Sequence, residues 1–155
     1  MAGLERWVRE AHGARLMGAV GEELSLETPL PIRRVTRLWL QLERAETISI
    51  GVDPTSGGLR WDACDPTPMA IEGVISTRIV DIKKREAIDL CMERHVTGGR
   101  LMRFSHEASP SGLELEFDGF LPLLVLAWGD AIEAWRGDRL EELEAQGYEL
   151  EPVAW

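Results

Sequence analysis

The chain has 155 residues, a length that suits one domain, and 45% of them are hydrophobic, which argues against a disordered chain. Acidic residues outnumber basic ones by 27 to 17, so the formal net charge is −10. This balance disfavours binding to the phosphate backbone of nucleic acids and to an anionic membrane surface. The most apolar stretch, around residues 120–128, is far shorter than the roughly 20 residues of a membrane-spanning helix.

Cys64 and Cys91 stand outside any CxxC pair, as expected of free thiols in a reducing compartment. The pattern leaves a disulfide between them open. No basic segment followed by an apolar core opens the chain, so no secretory signal is predicted. The sequence therefore predicts a single domain, residues 1–155, in the cytoplasm.

The first half of the chain predicts a helix followed by short strands. The helix is indicated by apolar residues at helical spacing, namely Leu4, Trp7, Val8 and Ala11. Residues 15–25 fit either a further helical turn or a first strand. Period-two alternation then predicts strands over 35–42, 47–52 and 59–61, separated by polar turns.

The middle of the chain is less clear. Residues 73–82 are rich in β-branched side chains and predict a strand. Within 84–96, the apolar residues fit one face of a helix or one face of a strand equally well. A strand is favoured there because short strands surround the segment.

The second half predicts another series of strands, over 101–106, 113–117, 121–128 and 131–135. The strand over 113–117 alternates apolar and acidic residues, which indicates one buried and one solvated face. Asp138 is predicted to cap a short helix, with Glu141 completing a capping box and Gly147 as the left-handed residue beyond its end. Residues 148–153 form a final strand or an extended tail.

One internal echo stands out. The segment LWLQLE at 38–43, followed by an apolar strand, resembles LELEFD at 113–118, which is also followed by an apolar strand. This similarity is compatible with a sheet built from two related hairpins. The predicted fold class is α+β, mainly an antiparallel sheet of hairpins, with an N-terminal helix and a short C-terminal helix.

Motifs for catalysis or cofactor binding are weak or missing. The sequence contains no phosphate-binding glycine loop, nucleophile elbow or HExxH motif. Cys91 and His95, four residues apart, would share a helix face, but two ligands are too few for a metal and the pair is better explained as a half-buried thiol and a surface histidine. The aspartates in or near turns are better explained by local hydrogen bonds than by catalysis; these are Asp53, Asp62, Asp65 and Asp130. We therefore expect no catalytic residue, cofactor or metal.

Tryptophans and acidic clusters suggest a partner surface instead. Among six tryptophans, Trp39 and Trp61 are candidate interface anchors, because tryptophan is enriched at binding hot spots. Two acidic groups are candidate contacts for a basic partner: Glu114, Glu116 and Asp118 on one strand, and Glu141, Glu142 and Glu144 near the C-terminus. The alternatives without a binding role are core packing for the tryptophans and a solvated, solubilising surface for the acidic residues.

Residues 113–117, the apolar strand after them and the run DAIEAW at 130–135 resemble small β-rich bacterial domains, some of them similar to immunity proteins of bacterial toxin systems. The resemblance covers about residues 100–136, with a looser echo over 35–53. It implies a non-enzymatic protein that neutralises a basic toxin through an acidic surface. The alternatives are a small enzyme with a carboxylate or thiol site, and a structural module that self-associates as a homodimer rather than remaining a monomer.

Overall fold

A computed structural model describes residues 2–25, 34–67, 76–104 and 107–153. The helices are α1 (Ala2–Ala11), α2 (Glu86–Asp89) and α3 (Leu140–Ala145), the last preceded by a 3-10 turn at Gly137–Arg139. The strands are β1 (Leu16–Ser25), β2 (Val35–Leu42), β3 (Ile48–Val52), β4 (Leu59–Ala63), β5 (Ser76–Asp81), β6 (Val96–Phe104), β7 (Gly112–Phe117), β8 (Leu123–Trp128), β9 (Ala131–Arg136) and β10 (Tyr148–Pro152). The predicted α+β class, with its antiparallel hairpins and two terminal helices, is confirmed. No helix in the described ranges is long and apolar enough to cross a membrane.

The strands form two five-stranded antiparallel sheets with the same topology. One sheet has the order β4-β3-β2-β1-β5 and the other, read in the matching direction, β9-β8-β7-β6-β10. Each is a four-stranded meander in which a fifth strand pairs with the free edge of the first. We call α1 to β5 the first half and α2 to β10 the second half.

The hydrogen-bond register makes the two halves equivalent residue by residue. A bulge follows Leu16 in β1 and Val96 in β6, at the same point of the two ladders. Counting from these bulges, Leu38 in β2 corresponds to Leu113 in β7, which is the alignment of the echo in the sequence. The echo is therefore real, but its two hairpins lie in different sheets rather than in one.

The two halves meet where each first strand begins. Arg15 and His95, which precede β1 and β6, form an antiparallel bridge with each other. The helices before these strands also correspond, because the amide of Ala14 bonds to the carbonyl of Ala11 as that of Arg94 bonds to that of Cys91. Helix α2 is thus a shortened counterpart of α1.

The main core draws buried side chains from both sheets and from the two equivalent helices. A second, smaller cluster covers the other face of the second sheet, where Leu143 of α3 packs on Met102, Leu124 and Leu126. Helix α3 therefore closes that face. Burial on both faces explains why residues 123–127 are apolar without alternation, as the sequence predicted for a central strand.

Several sequence predictions are corrected by these elements. The undecided segment 15–25 is a strand, and 84–96 is a short helix with turns rather than the favoured strand. Its helical pattern is the one that is buried, through Ala87, Ile88 and Cys91. Residues 73–75 and 105–106 of two predicted strands lie outside the described residues.

The predicted cap and the half-buried strand are also wrong in detail. Asp138 lies inside the 3-10 turn, and its carboxylate accepts a bond from Arg136 at 2.7 Å instead of capping a helix. Gly147 does adopt the left-handed conformation expected of it, with φ of 102°. In β7, the side facing away from the main core is covered too, so Glu114 is completely buried.

Candidate functional site

A cleft of about 740 Å³ lies between β9 and α2 of the second half and the start of β2 in the first half, and we call it the cleft of the second half because most of its lining residues belong to that half. Its volume is within the range of about 300–1,000 Å³ that ligand sites occupy. The whole of β9 borders it, together with the preceding residues 128–130. Because residues from both faces of the strand contribute, the cleft runs along the edge of β9.

At the place of the cleft, the second half lacks two large side chains that the first half has. The register makes Ala134 in β9 the counterpart of Trp61 in β4, since their ladder partners Val125 and Ile50 correspond. On the helices, Ala87 occupies the place of Trp7, four residues before the matching Cys91 and Ala11.

The equivalent hollow in the first half measures only about 230 Å³, and both of its indoles, Trp7 and Trp61, line it. Helix α1 has ten residues and α2 only four, so the first half also has more helix over this place. Trp7 is fixed by a 2.8 Å bond from its Nε1 to the carbonyl of Glu46. The place that the indoles of Trp7 and Trp61 fill in the first half is thus open beside Ala87 and Ala134 in the second.

Arginines surround the cleft, and carboxylates pair with them. Arg34 contacts Asp130 at 2.7 Å, and Arg136 contacts Glu86 at 2.8 Å, which ties β9 to α2. The carboxylates of Glu86 and Asp138 raise the pKa of the Arg136 guanidinium, so this charge is permanent. The remaining lining cation near α2, Arg85, contacts Glu23 of β1.

An aromatic platform forms one wall. Trp128 and Trp135 lie 5.0 Å apart, and the guanidinium of Arg139 stacks 3.7 Å above the Trp135 ring. Trp128 is 39% exposed, whereas Trp135 is buried and donates to Glu133 at 2.7 Å. The platform presents an apolar surface at the mouth of the cleft, and the indole N–H of Trp135 is already bonded.

Of the predicted interface tryptophans, neither is at an exposed anchor position. Trp39 is fully buried on the face of the first sheet away from the main core, under the guanidinium of Arg37 at 4.3 Å. It covers the second face of its sheet, so its role is packing, the alternative that the sequence analysis set against an interface anchor. Trp61 is half-buried and packs against the main core beside α1. Among the tryptophans within residues 2–153 that the structure describes, the exposed one is Trp128, which the sequence did not favour.

The predicted acidic residues fall into an interior group and a surface group. Glu114 cannot reach a partner, because it is completely buried and accepts two bonds from Arg100, at 2.6 and 2.9 Å. Glu116 is half-buried and lies 3.8 Å from the same guanidinium. The exposed members of the set are Asp118, Glu141, Glu142 and Glu144.

Helix α3 carries three of these exposed acids, and one of them contacts a residue that lines the cleft. Glu142 contacts Arg139 of the aromatic platform at 3.2 Å. The buried Leu143 fixes the helix on the second sheet, which leaves Glu141 and Glu144 at the surface. The acidic side chains are therefore carried by a docked element rather than by a loose tail.

Among the described residues, no group of three or more histidines, cysteines or carboxylates could hold a metal ion. Cys91 and His95 do not form a joint site, since Cys91 is buried and His95 is exposed at the bridge to Arg15. Both cysteines are free thiols. The turn residue Asp53 accepts bonds from the amides of Thr55 and Ser56, as a local hydrogen-bonding role requires.

The two cysteines are expected to differ sharply in reactivity. Burial raises the pKa of the Cys91 thiol to about 11, with Arg94 opposing the shift only in part. At pH 8 about one such thiol in a thousand is ionised, and the thiolate is the reactive form. A disulfide reagent should therefore titrate Cys64 alone in the folded protein and both thiols in denaturant. In a Cys64→Ser variant the folded protein should not react, and rapid reaction of that variant would contradict the burial of Cys91.

Comparison with protein-family models, with curated proteins and with solved structures found no match. The resemblance to immunity proteins therefore stays a prediction.

Proposed function

We propose that this chain is a non-enzymatic protein-binding module and that its recognition site is the cleft of the second half. The observation that carries the proposal is the open position at Ala87 and Ala134, which the equivalent first half fills with two indoles. A pocket that accepts an anchor side chain, surrounded by charged residues, is the usual arrangement of a binding hot spot. The proposal assigns the first half to stability and the second to recognition.

The partner that best fits this module is a basic protein, as for an immunity protein that neutralises a toxin. Support comes from the net charge of −10 and from the exposed acids of α3, Glu141, Glu142 and Glu144, of which Glu142 contacts the lining residue Arg139. Acidic groups around an anchor pocket attract a basic partner over distance and select against acidic ones. The glutamates would then govern the rate of association, and the cleft would govern how long the complex lasts.

Affinity capture from a lysate of the source organism, at low and moderate salt, tests this division of roles. The double variant Ala87→Trp/Ala134→Trp restores the side chains of the first half and should lower the affinity for a captured partner at least tenfold, because the anchor site is filled. The triple variant Glu141→Gln/Glu142→Gln/Glu144→Gln should mainly slow association and weaken its dependence on salt.

The control is Ala63→Trp, which adds the same indole to the exposed edge strand of the first half and leaves the cleft open. It should bind like the wild type. If the filled-cleft variant retained every basic protein that the wild type captures, with unchanged affinity, the cleft would not be the recognition site.

A further inference from the structure

The edge of β9 that borders the cleft is also a place where another strand could pair. In the described part of the chain β9 pairs only with β8, at the end of the sheet order. The other edge of such a strand carries backbone N–H and C=O groups that an incoming strand can use. Extended peptides are recognised in this way in many complexes, with backbone bonds for affinity and side-chain pockets for specificity.

The hollow beside this edge has the character of an aromatic site. Its floor includes Ala87 and Ala134, and apolar side chains surround them, among them Leu38, Ile82 and Ile132. In the first half the same space is occupied by the rings of two tryptophans. The surrounding fold therefore accommodates indoles at this place, and in the second half the rings are absent.

The charges of the cleft do not call for a charged anchor. Arg34, Arg85 and Arg136 each contact a carboxylate of the chain, at 2.7, 2.9 and 2.8 Å. An anionic group would have to compete with these pairs. An uncharged ring leaves them intact and removes its own apolar surface from water, which is favourable.

We propose that the cleft receives an extended segment of the partner protein, which adds to β9 as a further strand and places an aromatic side chain in the cleft against Ala87 and Ala134. This inference rests on the proposed function and names the chemistry of its anchor. Because side chains alternate along a strand, one residue of the segment enters the hollow and its neighbours face the other side of the sheet. There the platform of Trp128 and Trp135 is available to them.

A random heptapeptide library displayed on phage is the probe, selected on the full chain with the Ala134→Trp variant used to remove cleft-independent binders. The selected peptides should share an aromatic residue at one fixed position. Replacing that residue by alanine in a synthetic peptide should lower affinity at least tenfold. N-methylation should lower affinity at alternate backbone positions only, because alternate amides point to β9.

Two outcomes separate this inference from the proposed function. Peptides that depend on an open cleft but share no aromatic residue, or that tolerate N-methylation everywhere, would overturn the strand-and-ring inference and leave the recognition site in place. If depletion on the Ala134→Trp variant left no binder, both would be overturned, because every peptide that binds the chain would then tolerate the filled cleft. The smaller substitution Ala134→Leu, which narrows the hollow with less risk to folding, should weaken the same peptides and serves as the second variant.

Discussion

Replacing Trp39 by alanine is expected to lower the free energy of unfolding by about 3–5 kcal/mol, the usual cost of removing a fully buried aromatic side chain. Trp39 has no exposed surface, and its ladder neighbours Val20 and Ser49 flank it in the first sheet. The loss includes the stacking of Arg37, whose guanidinium lies 4.3 Å from the ring centre. Unfolding in urea, followed by circular dichroism, measures the effect.

Trp128→Ala is the matched control. Trp128 is 39% exposed, and its main aromatic contact is Trp135, so its removal should cost only about 1 kcal/mol. The two variants separate an interior tryptophan from a surface one. Equal losses in the free energy of unfolding would show that Trp39 is not tightly packed on its face of the sheet. The prediction that it anchors an interface would then stand again.

Trp39 shows what the alternation of side chains in the sequence can predict and what it leaves open. Alternation over 38–42 gave the strand and its inner face, with Leu38 and Leu40 buried in the main core. It left two choices for Trp39, because alternation says which side chains share a face and not what covers the other face. Burial there depends on contacts from elsewhere in the chain, such as the bond between Arg37 and the carbonyl of Thr67.

The similarity between 38–43 and 113–118 correctly identified two equivalent strands of the fold. It aligned Leu38 with Leu113, which is the correspondence shown by the two ladders. Extended forward without a gap, the same alignment sets Trp61 against Arg136, because the chain from β8 to β9 is two residues shorter between matched ladder positions than that from β3 to β4; only the ladders set Trp61 against Ala134. What the pattern could not give was the assignment of the hairpins to two sheets, since local alternation does not specify strand partners distant in the chain.

The prediction of a strand over residues 84–96, where the structure has the short helix α2, was wrong for a different reason. Four helical residues span about one turn, which is too short for the helical period to stand out from the strand period in the sequence. Only its equivalence to α1, which becomes clear from the bonds at Ala14 and Arg94, identifies it as the same element. The cleft was missed with it, because one of its two defining alanines lies on this helix.

Arg100→Met is expected to destabilise the fold by about 3–5 kcal/mol, and clearly more than Glu114→Met. The reason is unequal exposure of the two partners: Glu114 is completely buried, whereas 32% of the Arg100 side chain is exposed. Without Arg100 the carboxylate is left in the interior with no cation bonded to it. Without Glu114 the guanidinium still reaches water and still has Glu116 at 3.8 Å, so a loss of about 1–3 kcal/mol is expected.

The double variant Arg100→Met/Glu114→Met tests whether the stability of the fold requires this ion pair or only the filling of its space. Replacing a buried ion pair by apolar side chains of similar size is often close to neutral, so the double variant should be more stable than Arg100→Met alone. The first half supports this expectation, because the register places Val20 and Trp39, both apolar, at the positions of Arg100 and Glu114. A double variant less stable than Arg100→Met would mean that the site cannot be filled by apolar side chains, and that the equivalence of the two halves does not extend to this face.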